Sequence, residues 1–335
     1  MKRIVFRTLS ISLIASLMLV GCNQNKVKDA PVSQEQTIDN GGSHEEKVSN
    51  EDKILQEEEI VNKGQAGEAL VSEENLSEEQ EIQQVAIVEM NNEAYFDGIK
   101  GCMVIYDGVT NEYLIYNKDL VNGQSSPYST FKIISALIGL EEGVLLSSES
   151  TMGYDGTRYP MDSWNHDLTL EEAFKNSCVW YFRKVIDQIG IEKMTQYVKA
   201  LHYGNEDVSE WKGKDTNSLA SLNGFWLGSS LKISPKEQVE VLHTIFEEET
   251  SFSAENKEQV KKIMYVDTIN QYEVYGKTGT GNDKAWFVGF FQDKDKTYYF
   301  ATQLEDGQAN GISGYQARNI TYKVIEQFNK EEKVE

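Results

Sequence analysis

Apolar positions in this chain of 335 residues follow two spacings, one alternating and one helical, and the change from one to the other divides the sequence. Residues 102–106 and 113–116 are short apolar and aromatic runs on either side of Asp107-Gly108, a pattern that predicts a β-hairpin. A long helical middle follows. Thr169-Leu170-Glu171-Glu172 and Ser234-Pro235-Lys236-Glu237 each place a hydroxyl three residues before a glutamate, the pattern of a capping box. The second also has proline at the first helical position, where its missing N–H costs nothing. Between them, residues 179–189 and 191–201 have helical apolar spacing and are separated by Gly190. Strand-like runs then return at 272–275, 285–291 and 297–303, the last two joined by the polar turn Asp293-Lys294-Asp295-Lys296. A final helix is predicted over 315–328, where Ile320, Val324, Ile325 and Phe328 share a face. Strands at both ends with helices between them predict an α+β fold: a central, mainly antiparallel sheet flanked by helices, with a helical region inserted between its two parts.

The first 88 residues have a different character. Lys2, Arg3 and Arg7 precede an apolar run over 9–20, the pattern of an export signal and too short for a transmembrane helix. Residues 1–21 are therefore expected to be a signal peptide. The run ends in Leu19-Val20-Gly21-Cys22, which resembles the lipobox of bacterial lipoproteins of the Gram-positive type; the resemblance implies diacylation of Cys22 and a stable membrane anchor. Residues 23–82 contain no Phe, Trp or Tyr and carry thirteen Glu and three Asp against five Lys, so half of the chain's net charge of −22 lies there. Such a segment buries too little apolar surface to offset its ordering entropy, and 22–88 is read as an acidic tether. The acidity belongs mainly to that segment, and no basic stripe suits nucleic acid.

Residues 89–335 are expected to form one large catalytic domain. It holds only Cys102 and Cys178, which either pair or sit singly in the core. His44, His166, His202 and His243 lack the spacing of metal ligands, so no metal site is expected.

The candidate chemistry begins at Ser129-Thr130-Phe131-Lys132. If 133–140 is helical, Ser129 and Lys132 lie on one face of its first turn, and the serine has a base within reach. Lysine is a base only when neutral, which requires burial or a nearby cation; Phe131, Val179 and Trp226 are available as an apolar wall. Alone, the pair reads better as a capping serine beside a surface lysine. The order Ser129…Lys132, then Ser177-Cys178-Val179, then Lys277-Thr278-Gly279 changes that weighting, because it is the order of a serine acyl-transfer site in which lysine replaces histidine. Lys277-Thr278-Gly279 is placed at the start of a strand, with Gly276 and Gly279 allowing a substrate backbone close approach.

With Ile138-Gly139-Leu140-Glu141, Trp164-Asn165, Asp167-Leu168-Thr169-Leu170, Tyr203-Gly204-Asn205, Phe225-Trp226-Leu227 and Leu231-Lys232-Ile233-Ser234, the chain resembles the class D serine β-lactamases, the oxacillinase family, through most of 100–328. The resemblance implies hydrolysis of β-lactam antibiotics, and hence antibiotic resistance. It implies that Lys132 takes up CO2, supplied as bicarbonate, to become N6-carboxylysine, a base for acylation of Ser129 and for deacylation; no other cofactor is expected. By the same resemblance Trp226 donates to the carbamate, Val179 and Leu227 screen it, and Ser177 relays a proton to the lactam nitrogen. The N–H groups of Ser129 and Thr280 form an oxyanion hole, and Lys277, Thr278, Gly279 and Arg318 line or hold the substrate carboxylate. Tyr203 lines the pocket as a structural aromatic with a bonded hydroxyl. Many relatives carry a bulky residue after the K-T-G, where this chain has Thr280-Gly281. The expected location is outside the cell, on the outer face of the cytoplasmic membrane.

Two other readings share much of this pattern. Penicillin-sensor domains have the fold, the modified lysine and a K-T-G-T-G stretch but keep the acyl group; they usually follow membrane helices and an H-E-x-x-H segment, neither of which appears here. D,D-peptidases and transpeptidases favour S-x-N at the second motif, where this chain has Ser177-Cys178-Val179.

Overall fold

The computed structural model describes residues 85–305 and 311–328. All lie in the second of the two units into which the chain divides, Ser77–Glu335. The signal peptide, Cys22 and nearly all of the expected tether fall outside the described residues. The strands are β1 (Ala86–Glu89), β2 (Gly101–Asp107), β3 (Glu112–Tyr116), β4 (Tyr265–Ile269), β5 (Tyr272–Thr280), β6 (Lys284–Gln292) and β7 (Thr297–Glu305). The helices are α1 (Glu93–Phe96), α2 (Lys132–Glu141), α3 (Leu170–Lys175), α4 (Val179–Ile189), α5 (Ile191–Ala200), α6 (Pro235–Glu247), α7 (Ala254–Met264) and α8 (Gly314–Gln327). β1 takes in residues 86–88, which the sequence assigns to the tether.

The strands form one sheet in the order β1-β3-β2-β7-β6-β5-β4. β1 runs parallel to β3, and every other pair is antiparallel. β2 pairs with β7 from Gly101↔Leu304 to Asp107↔Tyr298, so the two ends of the domain meet in the sheet as expected. The period of two along each central strand sends side chains to opposite faces. Cys102, Val104, Trp286, Val288 and Phe290 join the core under the helical insertion; Met103, Ile105, Phe287, Phe300 and Leu304 join a second core under α8. Burying each large apolar side chain contributes about 1.5–3 kcal/mol, and the sheet is covered on both faces.

Both predicted capping boxes form. Thr169 Oγ1 accepts from Glu172 N at 3.2 Å while Glu172 accepts from Thr169 N at 3.0 Å; Ser234 and Glu237 do the same at 3.2 and 2.8 Å. A third box, Ser313 with Gln316, opens α8. Gly190 separates α4 from α5 at φ +82°, in the region open to glycine. Cys102 and Cys178 are both free and buried, which answers the pairing question in favour of two single core residues.

One expectation is corrected. Lys277-Thr278-Gly279 lies at the end of a strand and does not begin one, because β5 continues five residues past the predicted run. The register pairs Gly276 with Gly289, and the continuous ladder from Glu273↔Gln292 to Thr280↔Ala285 overrides the weak strand propensity of the glycines.

Candidate active site

Ser129 lies in a short 3-10 turn, Tyr128–Phe131, that runs directly into α2, and Lys132 is the first residue of that helix. Lys132 Nζ donates to Ser129 Oγ at 2.8 Å. Lys132 is 1% exposed, and its ammonium faces the Phe182 ring at 5.5 Å. Among the described residues Ser129 is its one hydrogen-bond partner, and no carboxylate pairs with it. Burial without a counterion disfavours the charged form and lowers its pKa from 10.5 to about 7. The neighbouring Cys178 thiol is pushed by burial up to about 12 and stays protonated. A lysine in this state can accept the proton of the hydroxyl it touches.

Ser177 sits between α3 and α4 at φ +56°. Its N–H donates to Phe174 O at 3.1 Å and that of Cys178 to Ala173 O at 2.8 Å, which closes α3 as a Schellman motif. Glycine usually occupies this left-handed position, and serine there costs roughly 1–3 kcal/mol. The strained backbone aims the hydroxyl at the sheet, where Lys277 Nζ donates to Ser177 Oγ at 2.9 Å and to Thr278 O at 2.9 Å. Lys277 is also buried, and its pKa is lowered well below the usual value by burial first and then by the charge of Lys132.

β5 seats these groups against Ser129. A Cβ added to Gly279 would lie 3.1 Å from Pro127 O, 3.2 Å from Thr130 Cγ2 and 3.4 Å from Ser129 N, so only a residue without a side chain lets the strand come this close. Ser129, Lys132, Ser177, Lys277, Thr278 and Gly279 are therefore brought together as expected, with Thr280 next in line. Thr280 Oγ1 accepts from Gly314 N at 2.9 Å, which ties the strand to the start of α8. Arg318, one turn further on, packs its guanidinium 5.1 Å from the Tyr315 ring and 5.6 Å from that of Tyr322. Its Nε is buried without a hydrogen-bond partner among the described residues, an unspent donor of the kind a carboxylate would take.

Trp226 is buried and stacks on Phe131 at 6.3 Å, immediately before Lys132 in the chain. Val179 and Leu227 are half-buried and pack against the main core. Tyr203 is fully buried with its ring edge on Phe131, a structural aromatic whose hydroxyl lies beside the Thr130 and Gln238 side chains. It supports from behind the turn that carries Ser129, its ring against Phe131 and its hydroxyl at the Thr130–Gln238 pair. Two residues that the sequence reading missed stand out. Tyr128 adopts φ +49° directly before Ser129. Arg183 is an arginine on the buried face of α4, and its place among Phe182, Val185 and Ile186 was a visible signal. The described residues contain no group of His, Cys, Asp and Glu able to hold a metal, and no helix among them is long and apolar enough to cross a membrane.

Residues 83–326 match the family model described as the penicillin binding protein transpeptidase domain. The chain is 33% identical over 245 residues to the probable beta-lactamase YbxI of Bacillus subtilis, covering 72% of this chain and 86% of that protein. It is 34% identical to the regulatory protein BlaR1 of Bacillus licheniformis over 69% of this chain, but spans only 38% of that longer protein. Among solved structures, a class D beta-lactamase from Bacillus subtilis superposes with a TM-score of 0.64 at 34% identity, covering 71% of this chain and 95% of the other. The C-terminal domain of the Bacillus licheniformis BlaR penicillin-receptor gives 0.66 at 32%, covering 73% and 98%.

Proposed function

This chain belongs to the penicillin binding protein transpeptidase domain family and is homologous to class D β-lactamases and to BlaR1, and on that premise we propose that it hydrolyses β-lactam antibiotics through an acyl-enzyme on Ser129. The observation that carries the reading is the 2.8 Å contact between Ser129 Oγ and a buried lysine whose pKa is lowered to about 7. Only a neutral amine combines with CO2, and Lys132 is held near neutrality in an apolar wall with a second buried cation, Lys277, within electrostatic reach. These residues fit a carbamate on Lys132, which supplies a carboxylate-like base, and Trp226 is the side chain that would hold it.

In acylation, the Ser129 hydroxyl gives its proton to the Lys132 side chain as Oγ bonds to the lactam carbonyl carbon. The N–H groups of Ser129 and Thr280 receive the oxyanion. As the carbon–nitrogen bond breaks, Ser177 relays to the nitrogen the proton that the Lys132 side chain took from Ser129, its hydroxyl held by Lys277 at 2.9 Å, and Lys132 is again free to act as a base. Lys277, Thr278 and Arg318 hold the substrate carboxylate. Water, activated at Lys132, then cleaves the ester and restores Ser129.

A second reading is favoured by the likeness to the BlaR penicillin-receptor domain, which equals the likeness to the lactamase: here the same acylation would end in a stable adduct. Turnover of a chromogenic cephalosporin, with and without bicarbonate, separates the two. Sustained turnover that rises with bicarbonate supports the hydrolase; one stoichiometric burst with a persistent adduct assigns the sensor. The proposal places the enzyme outside the cell, anchored through acylated Cys22. Cys22→Ala is expected to move it from the membrane fraction to the soluble fraction, and an unchanged membrane fraction argues against the anchor.

A further inference from the structure

The acyl-enzyme reading leaves Tyr128, immediately ahead of the nucleophile, without a role. At φ +49° it occupies the left-handed region, which a bulky residue adopts only where its surroundings impose it. Its backbone N–H donates to Trp226 O at 3.0 Å and its hydroxyl to Asp283 Oδ1 at 2.8 Å. Its ring fills the space beside Gly281, where an added Cβ would come 1.9 to 2.3 Å from three ring carbons. On the far side lies Gly228, whose Cβ would stand 3.7 Å from the hydroxyl. Burial and the Asp283 carboxylate both push the phenol above its ordinary pKa, so it remains a donor.

Residues 281–283 are the turn that joins β5 to β6, closed by Gly281 N–H to Lys284 O at 2.9 Å. The turn follows Thr280 directly, so it stands at the end of the cleft between Ser129 and β5. A side chain at position 281 would project into this space; here glycine leaves it open and Tyr128 fills it from the opposite wall. We infer that Tyr128 is a specificity-determining residue: pinned by Asp283 in the place of a side chain at 281, its ring closes the end of the cleft and limits the bulk of the β-lactam side chain that reaches Ser129. The inference rests on the acyl-enzyme reading of Ser129.

The test is the acylation rate of the full chain with two penicillins, one with a small side chain and one with a large polycyclic fluorescent side chain. Both form an ester on Ser129, and rapid acid quenching traps it as a label before any hydrolysis. Tyr128→Gly removes the ring at a backbone position that suits glycine, and is expected to raise the ratio of bulky to small acylation about 10-fold. Tyr128→Phe and Asp283→Ala each remove the hydrogen bond while keeping the ring, and are expected to raise the ratio by a smaller factor common to both. A merely structural role would lower Tm in these variants with the ratio unmoved. An unchanged ratio in Tyr128→Gly overturns the inference, and should that variant not fold, unchanged ratios in the other two overturn it equally. A wild-type chain that neither penicillin labels overturns the acyl-enzyme reading itself, a result distinct from labelled protein with an unmoved ratio.

Discussion

Two regions of the main core bury a cation, and they treat it in opposite ways. Arg183 on α4 donates Nε to Asp187 Oδ2 at 3.0 Å, a second guanidinium nitrogen to Asp187 Oδ1, and a third to Trp211 O at 2.8 Å. Its plane lies 5.0 Å from the Trp211 ring and 5.2 Å from that of Trp226. Lys132 and Lys277 are as deeply buried, but among the described residues they have only hydroxyl and carbonyl partners, with no carboxylate paired to either. A cation with a full set of partners is a structural joint. A cation denied them is held near neutrality, ready for proton transfer. Trp226 borders both regions, with Phe131 and Arg183 each packed on its indole.

The largest effect expected is from removing the lysine that touches Ser129. Lys132→Ala should slow acylation by a fluorescent penicillin about 10³ to 10⁴-fold, the usual contribution of a general base at its upper end. The same variant should lose bicarbonate sensitivity altogether. Acylation within a few-fold of wild type would mean that Ser129 is activated by another group, and the contrast between the two regions would lose its functional half.

The depressed pKa makes the contrast measurable as stability. In CO2-free buffer, Lys132 binds a proton in the folded state only below about pH 7, whereas the unfolded chain keeps it to about 10.5. The unfolded state therefore holds more protons between those values, and wild-type stability rises with pH across that window. Below pH 7 both states are protonated and the cost of burying the cation is borne in full. Lys132→Met removes the term, so its Tm should exceed that of wild type most at pH 6. The gap should close toward pH 10, by at most about 1.4 kcal/mol per pH unit. A gap that is flat with pH would show that Lys132 is not buried as a free amine.

Much of this was legible before the fold was known, though unevenly. The order of Ser129, Lys132, Ser177 and Lys277 pointed to residues that the fold does bring together, because that order is a recognisable motif pattern independent of the elements that carry it. The hairpin at 102–116 and the boxes at Thr169 and Ser234 were readable because local chemistry determines them. β4 and α7 were not: α7 buries only Val260, Ile263 and Met264 amid charged residues, and β4 is exposed over four of its five positions. The reach of β5 through two glycines depended on pairing with β6, a non-local cause. Tyr128 was hidden for a related reason, and so were the partners of Arg183, though its place on an apolar helix face was not. Both roles depend on Asp283, Trp211 and Trp226, residues far away in sequence and brought near only by the fold.

The paired cation offers the finer test, because charge and shape can be removed separately. Arg183→Ala deletes the stacking on two indoles and the bond to Trp211 O, and should cost about 3 kcal/mol in urea unfolding. The ion pair itself adds little to that figure, since Asp187 is half exposed and solvent screens it. Arg183→Lys keeps the charge but has no plane to lie between Trp211 and Trp226 and no fork for Asp187, so a cost of about 1 kcal/mol should remain. If Trp226 needs the guanidinium to hold its ring beside Phe131, both variants will also shift the bicarbonate concentration that half-saturates turnover, alanine more than lysine. Lost stability with an unmoved bicarbonate dependence would separate the two regions: Arg183 would then brace the fold alone, and the position of Trp226 would be set from the Phe131 side.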